Sequence, residues 1–439
     1  LSMSIDRFWG GRLAFFLRNG RKPSREELDF WLGRRARDQL ETVRFVGITG
    51  SGGKSTCASL LQHLLCLDYA VAGSLLENTT RVLAQRLRNI SQHDQFAVME
   101  MSGHKPGVLE ESCDLIRPHM GIVISVSQDH YSNFRGIENT IKEKTTLVRR
   151  VAADGCVLLN ADDPAVTGMA ASAQARVMTF GRLAGADYQA VDVQQSERGW
   201  LTFTCTHRSQ SVQFALPVPA PHLLPSILGA IACAHQAGIS LERLARQTAS
   251  YQPLPGRCSL HSLEDGRTVI CDTVKAPFGT LSLAFDLLNG FPRHRPRRIV
   301  LGNVSDYPGS WTPKMKRLSE QALSVADQLI FHRPPSGIDR IVKRYGAERV
   351  KSFQTVAEIQ AFLQREGTDE DVILLKSSGV NHLESLLIPW MGEPACMREP
   401  CARENSCFSC EHGFARGTVP SFPQYLHYCR GLVRQPRQG

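Results

Sequence analysis

No run of about twenty uninterrupted apolar residues occurs in this 439-residue chain, so no segment reads as a membrane-spanning helix. The nearest approach, Leu223 to Ile239, is cut by Pro225, His235 and Gln236. Near the N-terminus the apolar run is only Leu13 to Leu17 between Arg12 and Arg18, too short for a secretory leader. Acid is also in deficit: 42 Asp and Glu stand against 51 Lys and Arg, a net charge of +9. That balance suits an anionic partner without choosing between nucleotide, phosphorylated substrate, nucleic acid and lipid. No nucleic-acid recognition motif accompanies it, which argues against DNA or RNA. With 42% hydrophobic and 21% charged residues the composition excludes a disordered tail protein, a collagen-like rod and a small disulfide scaffold. A cytoplasmic location is expected, where the thirteen cysteines stand as thiols or metal ligands rather than disulfides.

At roughly 150 residues per domain the length accommodates two to four domains. Residues 1–41 read as a basic helical arm whose aromatic residues (Phe8, Trp9, Phe15, Phe16, Phe30, Trp31) pack inward while its arginines face water. From Thr42 to about 255 short apolar runs alternate with helical periodicity: Val43–Ile48, Ala97–Met99, Gly121–Val126 and Val157–Leu159 are strand candidates. Such alternation predicts an α/β fold with a parallel sheet covered by helices. Residues 178–218, richer in Thr, Val, Phe and Tyr, are expected to be an antiparallel β insertion, followed by a helix from Pro225 to Ala237. Pro253–Gly256 marks a boundary. Residues 256–391 repeat the strand and helix alternation as a second, Rossmann-like α/β unit, and 392–439 form a Cys-rich tail with little periodicity.

One segment carries specific chemistry. Gly47-Ile48-Thr49-Gly50-Ser51-Gly52-Gly53-Lys54-Ser55-Thr56 lies where a strand gives way to a helix. Glycines there let successive backbone N–H groups converge on a phosphate, Lys54 reaches the terminal phosphates, and the Ser55 hydroxyl is placed for magnesium. The strict P-loop spacing would place glycine at position 48, which is Ile48.

That spacing resembles the loop of the Mur ligase superfamily, the ATP-dependent amide-forming ligases of peptidoglycan synthesis and their relatives. Further motifs follow in order. Val98-Met99-Glu100-Met101-Ser102 is similar to the family's strand ending in a magnesium-binding glutamate, and Ser125-Val126-Ser127-Gln128-Asp129-His130 to its Asp-His motif. Lys144, fourteen residues after His130, falls where many members carry a carbamylated lysine. Asn160-Ala161-Asp162-Asp163-Pro164, Gly256-Arg257, Asp272 with Lys275, Leu301-Gly302-Asn303 and Leu375-Lys376-Ser377-Ser378 resemble later landmarks, the last two most like the branch that adds the terminal dipeptide. The resemblance covers residues 42 to 390. It implies ATP and Mg2+ as cofactors, with Gly50, Ser51, Gly52, Gly53, Lys54, Ser55, Thr56, Arg257, Asp272 and Lys275 around the nucleotide. It further implies Ser55 and Glu100 at one magnesium ion, His130 and Lys144 at a second, and Lys54, Glu100, His130 and Lys144 as the catalytic set.

Departures bear on the substrate. Only 46 residues precede Gly47, too few for a UDP-binding lobe, so the expected substrate is not carried by UDP. Leu223 and Ser226 replace the two asparagines that the family places near the adenine after His222, and Ser125 replaces the asparagine expected before Asp129. The leading expectation is a ligase joining a small-molecule or peptide carboxylate to an amine through an acyl phosphate. The alternatives are an amidating ligase fed with ammonia by a glutaminase partner, and a degenerate nucleotide-binding scaffold.

Five cysteines crowd the tail. Cys396, Cys401, Cys407 and Cys410 give C-x4-C-x5-C-x2-C, with His412 and Cys429 beyond. This density reads as a Zn2+ site or, with the same ligand type, an iron–sulfur cluster.

Overall fold

A computed structural model describes residues 2–76, 78–127, 134, 136–307, 310–334, 336–391, 396, 398–399, 401–403 and 406–410. Two sheets organise the chain. The first has nine strands in the order β2-β3-β1-β4-β5-β6-β7-β8-β9. β1 (Arg44–Thr49) lies at its heart, parallel to β3 (Phe96–Glu100) on one side and β4 (Met120–Val123) on the other. β2 (Val71–Ser74), β5 (Cys156–Asn160) and β6 (Arg176–Gly181) extend the parallel set.

Strand alternation sends neighbouring side chains to opposite faces. Val46 and Ile48 join one apolar cluster with Leu60, Leu61 and Leu64 of α3 (Lys54–Leu65) and Ile227 and Ile231 of a later helix. Phe45, Ala97 and Met99 join another with Leu109 of α5 (Val108–Ile116) and Leu147 of α6 (Ile137–Arg150). Both faces are therefore dry, which explains why these strands read as continuous apolar runs. The later helix, α7 (Leu224–Gln236), begins with proline at its first turn and packs on α3.

The expected antiparallel insertion is corrected in part. β6 pairs in parallel with β5 and begins within two residues of the expected start, while β7 (Tyr188–Gln195) is also parallel to β6. From β7 onward the expectation holds: β7 pairs antiparallel with β8 (Leu201–His207), and β8 with β9 (Gln210–Leu216), a meander that continues the first sheet instead of standing apart. Residues 176–181 present an apolar alternation that fits either pairing, so the choice rests on the neighbouring strand.

Ahead of β1, α1 (Ser2–Asn19) and α2 (Arg25–Asp38) form the basic arm. Ser24 and Glu27 close a capping box at the start of α2. The helix then docks on α4 (Thr80–Leu87) through buried Asp29, which accepts hydrogen bonds from Arg81 Nε at 2.9 Å and Gln85 Nε2 at 2.8 Å. Gly33 permits the approach: a Cβ there would lie 2.8 Å from the Ala84 backbone. Phe15 is buried against Trp31, as expected of inward-packing aromatics, but Leu13, Phe16 and Leu17 of α1 are exposed.

The second sheet has six strands in the order β10-β11-β15-β12-β13-β14, parallel except for the β10 edge (Ser259–Ser262). Its centre is β11 (Thr268–Asp272), β15 (Val372–Lys376) and β12 (Arg297–Leu301), with β13 (Gln328–His332) and β14 (Val350–Phe353) outward. Ile270, Ile299 and Leu374 share the apolar cluster of the first sheet, whereas Val269, Val300 and Ile373 face a separate cluster. Among the described residues no helix is long and apolar enough to cross a membrane.

Burial lowers the His261 imidazole on β10 from 6.5 to about 4, and burial also lowers His63, His119 and His332. Each binds its proton more readily once unfolded, so the stability they add at neutral pH is lost as pH falls below about 6.5, for His261 down to about 4. His261→Gln is expected to lessen the drop in melting temperature between about pH 7 and about pH 5. Thermal melts of both chains check this, and an unchanged slope would count against it.

Candidate functional site

β1 ends at Thr49 and α3 begins at Lys54, so the glycine-rich turn emerges at the carboxyl end of a central parallel strand. Ligands of open α/β sheets lie at such ends. Gly53 caps α3 in a left-handed conformation with φ of 75°, and a Cβ there would lie 2.0 Å from Ser226 Oγ on α7. Only glycine meets both constraints. Ser226, one of the two replacements for expected asparagines, thus presses on the phosphate loop. The loop is also tied to the segment after β4: Ser51 N donates to Ser125 O at 2.9 Å, Ser127 N donates to Ser51 Oγ at 2.9 Å, and Gly52 N donates to Ser125 Oγ at 3.3 Å. Ser125, where asparagine was expected, therefore serves as a brace for the loop.

Lys54 Nζ donates to Gly50 O at 2.7 Å, folding its side chain back over the turn. Thr56 is buried in the first turn of α3. Beside it, Ser55 Oγ donates to the Glu100 carboxylate at 3.0 and 3.1 Å. Glu100 ends β3, adjacent to β1, and is only 2% exposed. Leu76 N at 3.1 Å and Asn78 Nδ2 at 3.0 Å also donate to it. Three neutral donors surround this buried carboxylate, and a buried anion is favoured when a cation accompanies it. A hydroxyl and a carboxylate in contact are oxygen donors suited to a hard divalent ion, so the residues fit the magnesium expected at Ser55 and Glu100. Glu100 and burial together push the Cys57 thiol up, burial being the larger cause, so that cysteine is inert.

The Asn160–Pro164 motif supports the same corner. Asn160 Nδ2 donates to Ile124 O at 2.8 Å, and Asp163 accepts from Val126 N at 2.7 Å while capping the next helix. His130 lies outside the described residues. Lys144 is buried at 2% exposure on α6, next to Glu143, which accepts from Gly107 N and Leu109 N at 2.8 and 2.7 Å. It is thus no part of a solvated helix face.

The second sheet contributes its own strand ends. Asp272 closes β11 and is ion-paired with Lys376, which closes the adjacent β15; Lys376 Nζ also donates to Lys275 O at 2.8 Å. The Lys275 side chain is exposed. His222, just ahead of α7, is kept below its usual range by burial, with the Asp272 carboxylate opposing that and Lys376 adding to it. The imidazole of the turn leading into α7 thus lies within electrostatic reach of two strand ends of the second sheet. Arg257 Nε is buried with no hydrogen-bond partner among the described residues. Asn78 and the pairing partner Lys376 were not among the expected site residues. Lys376 lies in a quoted motif, whereas Asn78 sits in a polar stretch with no spacing signal.

In the tail, Cys396, Cys401, Cys407 and Cys410 are half-buried free thiols. The donors that come together most closely there are His382, Glu384 and Cys407, whose ligating atoms lie within 4.8 Å of one another.

Residues 48–234 match the family model of the Mur ligase middle domain. The UDP-N-acetylmuramoyl-tripeptide--D-alanyl-D-alanine ligase of Mycobacterium tuberculosis is 29% identical over 236 residues, 53% of this chain and 46% of that protein. The chain spans about half the length of the first curated relatives it matches. Among solved structures, MurF from Acinetobacter baumannii has a TM-score of 0.75 at 20% identity, covering 84% of this chain and 83% of that one. MurF ligase from Thermotoga maritima in complex with ADP has a TM-score of 0.70 at 20% identity, covering 82% and 84%. These likenesses show the α/β fold shared with Mur ligase structures.

If Glu100 anchors a cation at the phosphates, Glu100→Gln lowers nucleotide turnover by roughly 100-fold or more and raises the magnesium concentration needed for half-maximal rate. Asn78→Ala, which leaves the carboxylate in place, is expected to have a smaller effect. Phosphate release measured across a magnesium series separates the two.

Proposed function

We propose that this chain, which carries the Mur ligase middle domain over residues 48–234, is an ATP-dependent ligase that joins a carboxylate to an amine. The observation that carries the reading is the buried contact of Ser55 with Glu100 beside the glycine-rich turn. The ligase names of its relatives support it. A finer part of the proposal is that the carboxylate substrate is not attached to UDP. It is supported by the segment immediately ahead of β1, where α2 docks on α4 and α1 packs on α2.

An amide does not form from a carboxylate and an amine in water until the acid is activated. Transfer of the γ-phosphoryl group of ATP to the carboxylate breaks the β–γ phosphoanhydride bond and forms an acyl phosphate; the amine then displaces phosphate. The barrier is mainly electrostatic, because anionic oxygens must approach one another. Backbone N–H groups from Gly50 to Lys54 cradle the phosphates, those of Ser51 and Gly52 by exchanging their hydrogen bonds to Ser125, and Lys54 exchanges its hydrogen bond to Gly50 O for the terminal phosphate. Magnesium, held by Ser55 and Glu100, neutralises phosphate charge when bound. Arg257, whose buried Nε has no hydrogen-bond partner among the described residues, supplies a further cation. Asp272, steadied by Lys376, orients the ribose, while Lys275 faces the phosphates or the incoming carboxylate. Lys144, buried at 2% exposure, would add carbon dioxide through its neutral amine after the ammonium loses a proton, a second proton leaving as the N–C bond forms, and the resulting carboxylate-like group would with His130 hold a second magnesium ion.

Lys54→Ala is expected to abolish phosphate release that depends on acid and amine together; unchanged turnover would remove the mechanism. Lys144→Ala is expected to lose activity that short free carboxylates partly restore, and no restoration at any concentration would speak against the carbamate. Turnover of acids lacking UDP tests the substrate: activity confined to UDP-linked muramyl peptides would overturn that part alone.

A further inference from the structure

The tail contributes one residue to a donor set completed by the body of the chain. After β15 the chain turns through His382, which adopts a left-handed backbone with φ of 46°, and on to Glu384. Leu383, Leu386 and Leu387 anchor this turn in the apolar cluster on one face of the second sheet. The tail returns to the same place. Phe408 is buried in that cluster and stacks on His261, with ring centroids 6.2 Å apart. Glu399 accepts from Val356 N at 2.7 Å and lies 2.6 Å from His332 Nε2. Cys407 is thereby brought over the turn.

Its donors are oriented as ligands. His382 Nε2 lies 2.8 Å from Arg403 O, a contact that holds the proton on Nε2 and turns the Nδ1 lone pair the other way. Nδ1 is buried with no hydrogen-bond partner among the described residues, 3.5 Å from Glu384 Oε1. Glu384 Oε1 accepts from Cys407 N at 3.0 Å and Ser406 Oγ at 3.1 Å, while Oε2 is buried and unpartnered in the same sense. His382 is 6% exposed and Glu384 2%. His382 Nδ1 has only the long 3.5 Å approach to Glu384 Oε1, and Glu384 Oε2 has no hydrogen-bond partner among the described residues; buried polar atoms so poorly satisfied are costly, and both belong to the group that Cys407 Sγ completes.

We propose that His382, Glu384 and Cys407 form a zinc-class metal site that fastens the tail to the second sheet, with one of the neighbouring thiols Cys396, Cys401 and Cys410 as the fourth ligand. Zinc bonds of about 2.0–2.3 Å in a tetrahedron place donors about 3.3–3.8 Å apart. The three donors, within 4.8 Å, need only small adjustments to reach that spacing. An imidazole and a thiolate exclude magnesium and calcium, which prefer all-oxygen sets. The arrangement differs from the four-cysteine reading of the tail, because two ligands come from the segment after β15.

The test uses the full chain, purified without chelator, with metal content measured by mass spectrometry. About one zinc ion per chain is expected. Cobalt added after zinc removal is expected to give tetrahedral visible bands and a thiolate charge-transfer band in the near ultraviolet. His382→Gln and Cys407→Ser are each expected to weaken metal binding at least tenfold, Cys407→Ser also diminishing the charge-transfer band, whereas Cys66→Ser leaves both unchanged. Should a variant fail to fold, the cobalt spectrum of the unaltered chain still decides. Absence of metal and of cobalt binding would overturn the proposal. So would the visible absorption of an iron–sulfur cluster, or full zinc affinity in folded His382→Gln, which points to a site made of thiolates alone. Metal content is read without ATP turnover, so this outcome is independent of the ligase reading.

Discussion

A carboxylate buried at the end of a central strand is the constraint around which the first sheet is arranged. Glu100 can sit at 2% exposure only because Ser55, from the segment after β1, and Asn78 and the Leu76 backbone, from the segment after β2, converge on it. Each of those segments follows a neighbouring parallel strand, so the sheet register decides whether the donors arrive. β1 and β3 pair with Ile48 opposite Glu100, which sets the phosphate turn alongside the acid. Burial without full compensation favours a cation at that point.

The second sheet repeats the device with opposite sign available. Asp272 and Lys376 end adjacent strands and pair, and the lysine also reaches the Lys275 carbonyl. That pair lies within electrostatic reach of His222, in the short turn that leads into α7 on the first sheet. A single apolar cluster runs from β1 and α3 into β11, β12 and β15. Charge at the strand ends is thus held by a dry scaffold that both sheets share, and a dry scaffold strengthens each polar contact.

Much of the first sheet was legible because its strands are buried on both faces and read as apolar runs between helical periods. The glycine turn was legible for a different reason: Gly53 has both a positive φ and a 2.0 Å collision awaiting any Cβ. Less could be read where pairing depends on a partner strand. The composition of β6 suits an antiparallel insertion, yet the strand lies parallel to β5. Asn78 carries no spacing signal at all, since its contact with Glu100 joins residues far apart in sequence. The density of the tail cysteines raises the expectation of a metal, but density says nothing about His382 or Glu384.

Local sequence determined what a short stretch can settle by itself: a strand, a turn needing glycine, a lysine and a serine behind it, and the Ser24 capping box. These depend on backbone conformation and on neighbours within a few residues. The tertiary structure alone decided which distant groups share a buried environment, as Lys376 with Asp272 and Cys407 with His382 and Glu384. Electrostatics and ligand geometry act through space and over a few ångströms, whereas sequence spacing measures distance along the chain.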